Sequence, residues 1–160
     1  ELPESSAAAK NAASLLNLFR EKGLPIVHIQ HETTKTEMGF MLPGSFGQEI
    51  HPSVEPQQSE FCLTKHFPNA FWKTELEKHL NELGITQLII AGMMTHLCVS
   101  TTVRAAMERG FQTTVIQDAC ATRSLAFNGT EIPAKTVHNT ALAELTLIAQ
   151  IIPLQEFLAE

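Results

Sequence analysis

The chain has 160 residues, room for one domain, and its 44% apolar content is enough for a sizeable core and too much for a disordered chain. Eleven Lys and Arg against seventeen Asp and Glu leave a net charge of −6, with no basic cluster to neutralise a phosphate backbone, which excludes nucleic acid as a partner. No apolar run approaches the roughly 18 residues that span a bilayer, so no membrane partner is expected. The three cysteines (Cys62, Cys98, Cys120) lack metal-ligand spacing and read as reduced thiols of a cytoplasmic protein.

Ser5 or Ser6 can cap a first helix, with Ala8, Ala12, Leu15, Leu16 and Phe19 at helical spacing and Gly23 as its stop. Pro25 then opens a β-branched strand over 26–31. From 32 to 60 periodicity disappears among repeated Gly and Pro, and an aperiodic stretch of this length in a small domain reads as functional. A second strand is predicted over 61–65. Thr74 and Glu77 form a capping-box pattern ahead of Leu76, Leu80 and Leu83, and Gly84 ends that helix. Residues 85–91 are a near-continuous apolar run, the pattern of a strand buried on both faces, broken by Gly92. Val99, Val103, Ala106 and Met107 mark a helix that stops at Gly110. A strand over 111–117, a loop over 118–131, and a helix in which Pro133 fits the first turn follow. A short strand at Ile151 and Ile152 and a small terminal helix complete the chain.

Strands alternating with helices imply parallel strands joined by right-handed crossovers, hence an α/β fold: a three-layer α/β/α sandwich around a mostly parallel sheet. Ligands of such sheets sit at the carboxyl ends of the strands. Three segments therefore matter most, those beginning at His31, Lys65 and Gly92. Cys98 falls where an apolar strand hands over to a helix. Backbone N–H groups and the helix dipole there favour a thiolate and can hold a developing oxyanion. The same residue also fits as a small buried cysteine. Lys65 at its strand end is either an ordinary solvated lysine or a cation that favours the thiolate.

The run Leu88-Ile89-Ile90-Ala91-Gly92-Met93-Met94-Thr95-His96-Leu97-Cys98-Val99, with Thr102, Arg104 and Ala105 after it, resembles the nucleophile segment of isochorismatase-like cysteine hydrolases. Lys65 with Asn69-Ala70-Phe71 resembles their lysine segment, and Asp118-Ala119-Cys120-Ala121-Thr122 their later strand-end motif. The resemblance implies an isochorismatase-like, Rossmann-like sheet between helices and a hydrolase of small amides, ureas or the vinyl ether of isochorismate. It implies Cys98 as nucleophile, Lys65 as its partner, and the backbone amides of Met94 and Cys98 as oxyanion donors. It also implies a cis peptide at Met93–Met94 and a homodimer or larger homo-oligomer.

The family's triad aspartate lies on a strand ahead of the first helix, and no such strand precedes Ser6 here. Residues 1–160 are thus expected to form a single isochorismatase-like domain lacking its first strand, the complete polypeptide carrying roughly 20 more residues with an apolar strand that ends in Asp. Asp118 is the only aspartate and belongs by resemblance to the later motif, where loop hydrogen bonding suits it. Nicotinamidase-type relatives hold a metal through an Asp-x-His pair, which is missing after the 26–31 strand. His28 and His31 point to opposite strand faces and His51 follows in a loop, so no metal and no cofactor are expected. Phe40, Phe71, His31 and His96 are the candidate lining of a substrate pocket, with Phe46 and Trp72 as further walls and Met38, Met41, Met93 and Met94 as soft apolar surface. Phe71 and Trp72 also fit as core anchors. Cys62 and Cys120 read as buried thiols. The leading expectation is a metal-independent cysteine hydrolase acting on a C–N bond of a small amide or carbamoyl compound. The alternatives are a vinyl ether hydrolase, a non-catalytic binding member and a redox-responsive thiol protein.

Overall fold

The computed structural model of the protein describes residues 2–35, 37 and 39–159. Met38 lies outside the described residues. Helix α1 (Ser5–Glu21) begins behind Glu4, so neither serine occupies the cap position. It ends at Gly23, whose φ of 63° lets the Leu24 amide reach back 2.9 Å to the Phe19 carbonyl. Strand β1 (Val27–His31) pairs in parallel with β2 (Phe61–Lys65), with His31 opposite Lys65. The long stretch between them includes two 3₁₀ turns, Phe46–Gln48 and Pro52–Val54. Helix α2 (Leu76–Glu82) starts one residue after the position that a Thr74 cap requires. The Thr74 hydroxyl donates to the Ala70 carbonyl at 2.6 Å, so it closes the preceding turn instead.

Strand β3 (Gln87–Met93), β4 (Gln112–Ala121) and β7 (Gln150–Ile152) form a second parallel sheet in the order β3-β4-β7. Helix α3 (Ser100–Glu108) connects β3 to β4, and α4 (Ala134–Leu145) leads to β7, which runs into α5 (Leu154–Phe157). Pro133 is the N-cap of α4 rather than its first-turn residue. Two further expectations change. Strand β4 extends through Ala121 and so carries Asp118 to Ala121 inside it, because their continued pairing with β3 outweighs the turn-like sequence. The expected loop contains a hairpin, β5 (Leu125–Phe127) and β6 (Thr130–Ile132), turned by Asn128 and Gly129 at φ 49° and 75°.

Alternating side chains of the strands divide between two helical layers. Val115 and Ile90 pack with Val99, Val103, Leu142 and Leu145 under α3 and α4. Ile116, Ile89 and Ala91 pack with Leu15, Phe19 and Leu154 on the α1 and α5 side. Leu63, Phe71, Leu80 and Phe111 form a further cluster under α2 and α3. The result is a three-layer α/β/α arrangement with parallel β strands between the helices. Among the described residues no helix is long and apolar enough to cross a membrane.

The parallel strands are split. β1 uses one edge for β2, β3 uses one edge for β4, and both line the same groove of about 310 Å³ with their other sides. Ala12, Leu15, Leu16 and Phe19 of α1, Ile50, Val54 and the strand residues Val27, Ile29, Ile89 and Ala91 make that groove apolar. This open side explains why β3 is only half-buried from Leu88 to Met93, where the apolar run predicts burial on both faces.

One polar cluster ties α1 to both β1 and the approach to β2. Arg20 grips Glu60 with two bonds of 2.7 and 2.8 Å, His28 Nε2 lies 2.8 Å from the same carboxylate, and the Gln57 amide donates to it at 2.8 Å. The Arg20 hydrogen bond, helped by those of Gln57 and His28, holds the Glu60 carboxyl down at about 2 against partial burial. Its folded pKa lies below its unfolded one, so its stabilisation is full above about pH 4.5 and drains away as pH falls towards 2. Glu60→Gln is expected to cost about 2 kcal/mol at neutral pH, less than the shift alone implies because the partner Arg20 is partly solvated. Urea midpoints at neutral and at acid pH, down to about pH 3, check this: the wild type loses its advantage over the variant on acidification, and a constant difference would refute the assignment.

Candidate active site

The carboxyl ends of β1, β2 and β3 bring together His31, Lys65 and the segment that follows Gly92. Parallel registry places His31 directly beside Lys65. Lys65 is 4% exposed, and its ammonium makes three contacts: His31 Nδ1 at 2.9 Å, the Phe67 carbonyl at 3.0 Å and Cys98 Sγ at 3.2 Å. A buried cation needs such partners, since burial without them is strongly unfavourable. Among the described residues no carboxylate is bonded to Lys65.

Cys98 reaches this point because β3 does not pass smoothly into α3. The β3–β4 register shifts between Ile90 and Gly92, where Gly92 takes a φ of 137° that disfavours any side chain. The Met93–Met94 peptide is cis. The chain then winds through one π-helical turn, Thr95–Val99, in which the Met94 carbonyl accepts from the Leu97 amide at 3.1 Å and the Val99 amide at 3.2 Å. Such wide turns concentrate at functional sites, where they aim a side chain that a regular helix would misplace.

Two side-chain pairs brace this turn, and a third bond ties the helix after it to the lysine segment. The buried Thr95 hydroxyl pairs with His138 Nδ1 on α4 at 2.9 Å, and His96 Nδ1 makes a short contact with the Thr122 hydroxyl beyond β4. Thr102 of α3 accepts from the Ala70 amide at 3.1 Å, which joins the cysteine helix to the lysine segment. Burial lowers the pKa of His31, His96 and His138 below the usual imidazole value. The Lys65 and His66 charges add to the effect on His31, and the Arg123 charge to that on His96. In each ring the shift favours the neutral imidazole.

Of the residues singled out in the sequence, Cys98 and His31 each contact Lys65, with Met93 and Met94 at the start of the cysteine turn. His96 belongs to the same turn and is anchored to Thr122. Phe71 does not line a pocket. It is buried in the cluster under α2 and α3, stacked on Phe111 and covered by the Arg109 guanidinium, as its apolar ring and its place after Ala70 dictate. Phe40, Phe46 and Trp72 are half-exposed or more. Asp118 faces away from the lysine: its carboxylate accepts from the Leu154 amide at 2.8 Å and secures α5. Burial pushes the Cys120 thiol up to about 12, leaving it unreactive, whereas Cys62 is exposed on the open face of β2 rather than buried. His28 is spent on Glu60, and among the described residues no group of three His, Cys, Asp or Glu side chains is gathered for a metal. The threonine–histidine braces were missed in the sequence, because nothing local links Thr95 to His138 or His96 to Thr122.

Comparison with known proteins places this geometry in a family. The family model of the isochorismatase domain matches residues 1–155. The uncharacterized isochorismatase family protein YddQ of Bacillus subtilis is 42% identical over 144 residues, covering 90% of this chain and 80% of that protein. A solved isochorismatase from Pseudomonas putida superimposes with a TM-score of 0.92 at 38% identity, over 98% of this chain and 80% of the other. Maleamate amidohydrolase, also of Pseudomonas putida, is 29% identical over 134 residues, covering 76% of this chain and 63% of that protein. A cysteine and a buried lysine in contact at the strand ends, on a chain matched by this domain along nearly all its length, identify it as a member of the isochorismatase family of hydrolases.

Proposed function

We propose that the protein hydrolyses a C–N bond of a small amide or carbamoyl compound through Cys98, without a metal. The observation that carries this reading is the 3.2 Å contact between Lys65 Nζ and Cys98 Sγ at the carboxyl ends of the strands. The Cys98 thiolate attacks the substrate carbonyl carbon, and the backbone N–H groups of Met94 and Cys98 hold the oxyanion. As the C–N bond breaks, the leaving amine takes a proton from Lys65. Water then attacks the thioester, returns a proton to Lys65 and releases the acid together with the Cys98 thiolate. His31, His96 and Phe40 border the substrate in this reading. The amide chemistry is supported by the maleamate amidohydrolase among its relatives.

The same proposal includes a further strand in the groove between β1 and β3, carrying the aspartate that the family resemblance implies. Two parallel edges that have no strand partner among the described residues and line one apolar groove support it, since an added strand would satisfy both sets of backbone groups. A homodimeric or larger assembly and a cytoplasmic location complete it.

The test is release of ammonia or amine from a panel of small amides, ureas and N-carbamoyl compounds, followed by mass spectrometry of the quenched enzyme. Turnover with an acyl adduct on Cys98 is expected. Turnover of isochorismate without an adduct would instead make the protein a vinyl ether hydrolase. Binding of panel members with no turnover of either class would make it a non-catalytic member of the family.

A further inference from the structure

We infer that His31 is a positioning residue that holds the Lys65 ammonium in the orientation needed at Cys98, through a ring fixed as the Nε2–H tautomer. The inference rests on the proposed roles of Lys65 and Cys98. A lysine ammonium has three N–H donors and no acceptor, and Lys65 has three acceptors around it: His31 Nδ1, the Phe67 carbonyl and Cys98 Sγ. Two of these bonds therefore decide where the third N–H points. Without them, the flexible four-carbon stem of lysine leaves that direction free.

The Phe67 carbonyl belongs to the backbone and is indifferent to its own side chain. Among the described residues, His31 is thus the one side chain besides the cysteine itself that hydrogen-bonds the ammonium. Its position is secured from below by the β1–β2 ladder, where His31 and Lys65 are registered partners. Because the lysine can only donate, His31 Nδ1 has to accept, and the ring proton has to sit on Nε2. The depressed basicity of this half-buried ring, between the Lys65 and His66 charges, agrees with a ring that stays neutral and keeps accepting.

The experiment compares His31→Leu, His31→Asn and Lys65→Met in the whole chain. The readouts are the rate of Cys98 alkylation by iodoacetamide at neutral pH, followed by intact mass, and the ultraviolet absorbance of the thiolate. Asparagine places its Oδ1 where histidine places Nδ1, so it retains the acceptor and loses the ring. His31→Leu is expected to slow alkylation about tenfold, the worth of one charge-assisted hydrogen bond, and to lower the thiolate absorbance. His31→Asn restores both to within about threefold of wild type, as a retained acceptor should.

A wild-type rate in His31→Leu with a slow Lys65→Met would overturn the role of His31 and leave the lysine–cysteine pair standing. Wild-type rates in both would remove the pair itself. Equal slowing in the Leu and Asn variants would show that the acceptor is not what matters, and would also overturn the inference. If His31→Leu fails to fold, the ring-nitrogen resonances of His31 in the wild-type protein decide: Nδ1 must be the unprotonated nitrogen, and a proton found there refutes the assignment.

Discussion

Cys98→Ala is expected to lower turnover of every amide the protein accepts by at least about a thousandfold, with the fold retained. The sulfur is the atom that forms the bond to carbon in the proposed reaction, and no second thiol can replace it. Cys120 is sealed in the core with its thiol pushed up to about 12, and Cys62 is exposed on another strand. The fold is retained because Cys98 is only half-buried and contributes one contact to Lys65, whose other two acceptors are untouched. Steady-state turnover beside a thermal melt checks both halves. Undiminished turnover in a folded Cys98→Ala protein would rule out covalent catalysis at this site.

Lys65→Met should lower turnover by about a hundredfold or more and yet leave the protein as stable as before, or more stable by about 1 kcal/mol. Methionine has nearly the length of the lysine stem and no charge to desolvate. The wild-type cation lies 4% exposed against a neutral imidazole, a carbonyl and a sulfur, with no bonded carboxylate among the described residues to compensate its burial. A residue held at this cost in stability is one retained for chemistry. Denaturant midpoints and turnover, measured on the same preparations, test the pairing of the two effects. A large loss of stability with little loss of rate would show Lys65 to be a structural residue. Combined with Cys98→Ala, Lys65→Met should add almost nothing to the loss of turnover, because without the sulfur no thioester forms on which the Lys65 proton transfers could act.

The split between the strands bears on both results. Cys98 hangs from the end of β3 and Lys65 from the end of β2, and these strands belong to different sheets whose facing sides share the apolar groove. The helices and the clusters beneath them hold the two halves in the arrangement seen in the solved Pseudomonas putida relative, at a TM-score of 0.92. The Thr102 bond to the Ala70 amide is one of the direct links between the halves close to the site. Rates measured on Thr102→Val are therefore a sensitive gauge of how firmly the lysine and cysteine segments are joined.

Much of the architecture was legible in the amino-acid order, because short-range patterns decide it. The alternation of β-branched runs and amphipathic segments specified parallel strands between helices, and β2 falls on the residues predicted for it. Glycine at 23, 84 and 110 closed helices where its freedom at positive φ predicts. The hairpin was legible as well, since Asn128-Gly129 between Phe127 and Thr130 is a strong local turn signal that the loop reading passed over. Strand ends as the place for chemistry, and Cys98 and Lys65 as its bearers, followed from the fold class and the family resemblance together.

What tertiary structure alone decided is which side chains meet. His31 and Lys65 lie 34 positions apart, and Lys65 and Cys98 lie 33 apart, so no local periodicity encodes their contacts. Phe71 went to the core because the space under α2 and α3 admits an aromatic ring, and His28 was drawn to Glu60 by a carboxylate 32 positions away. The half-burial of β3 also lies outside any local pattern, because an apolar run states what a strand can bury and only its neighbours determine what it does bury. Periodicity is a property of adjacent residues, whereas the direction of one lysine N–H is set by three acceptors that the folded chain alone brings together.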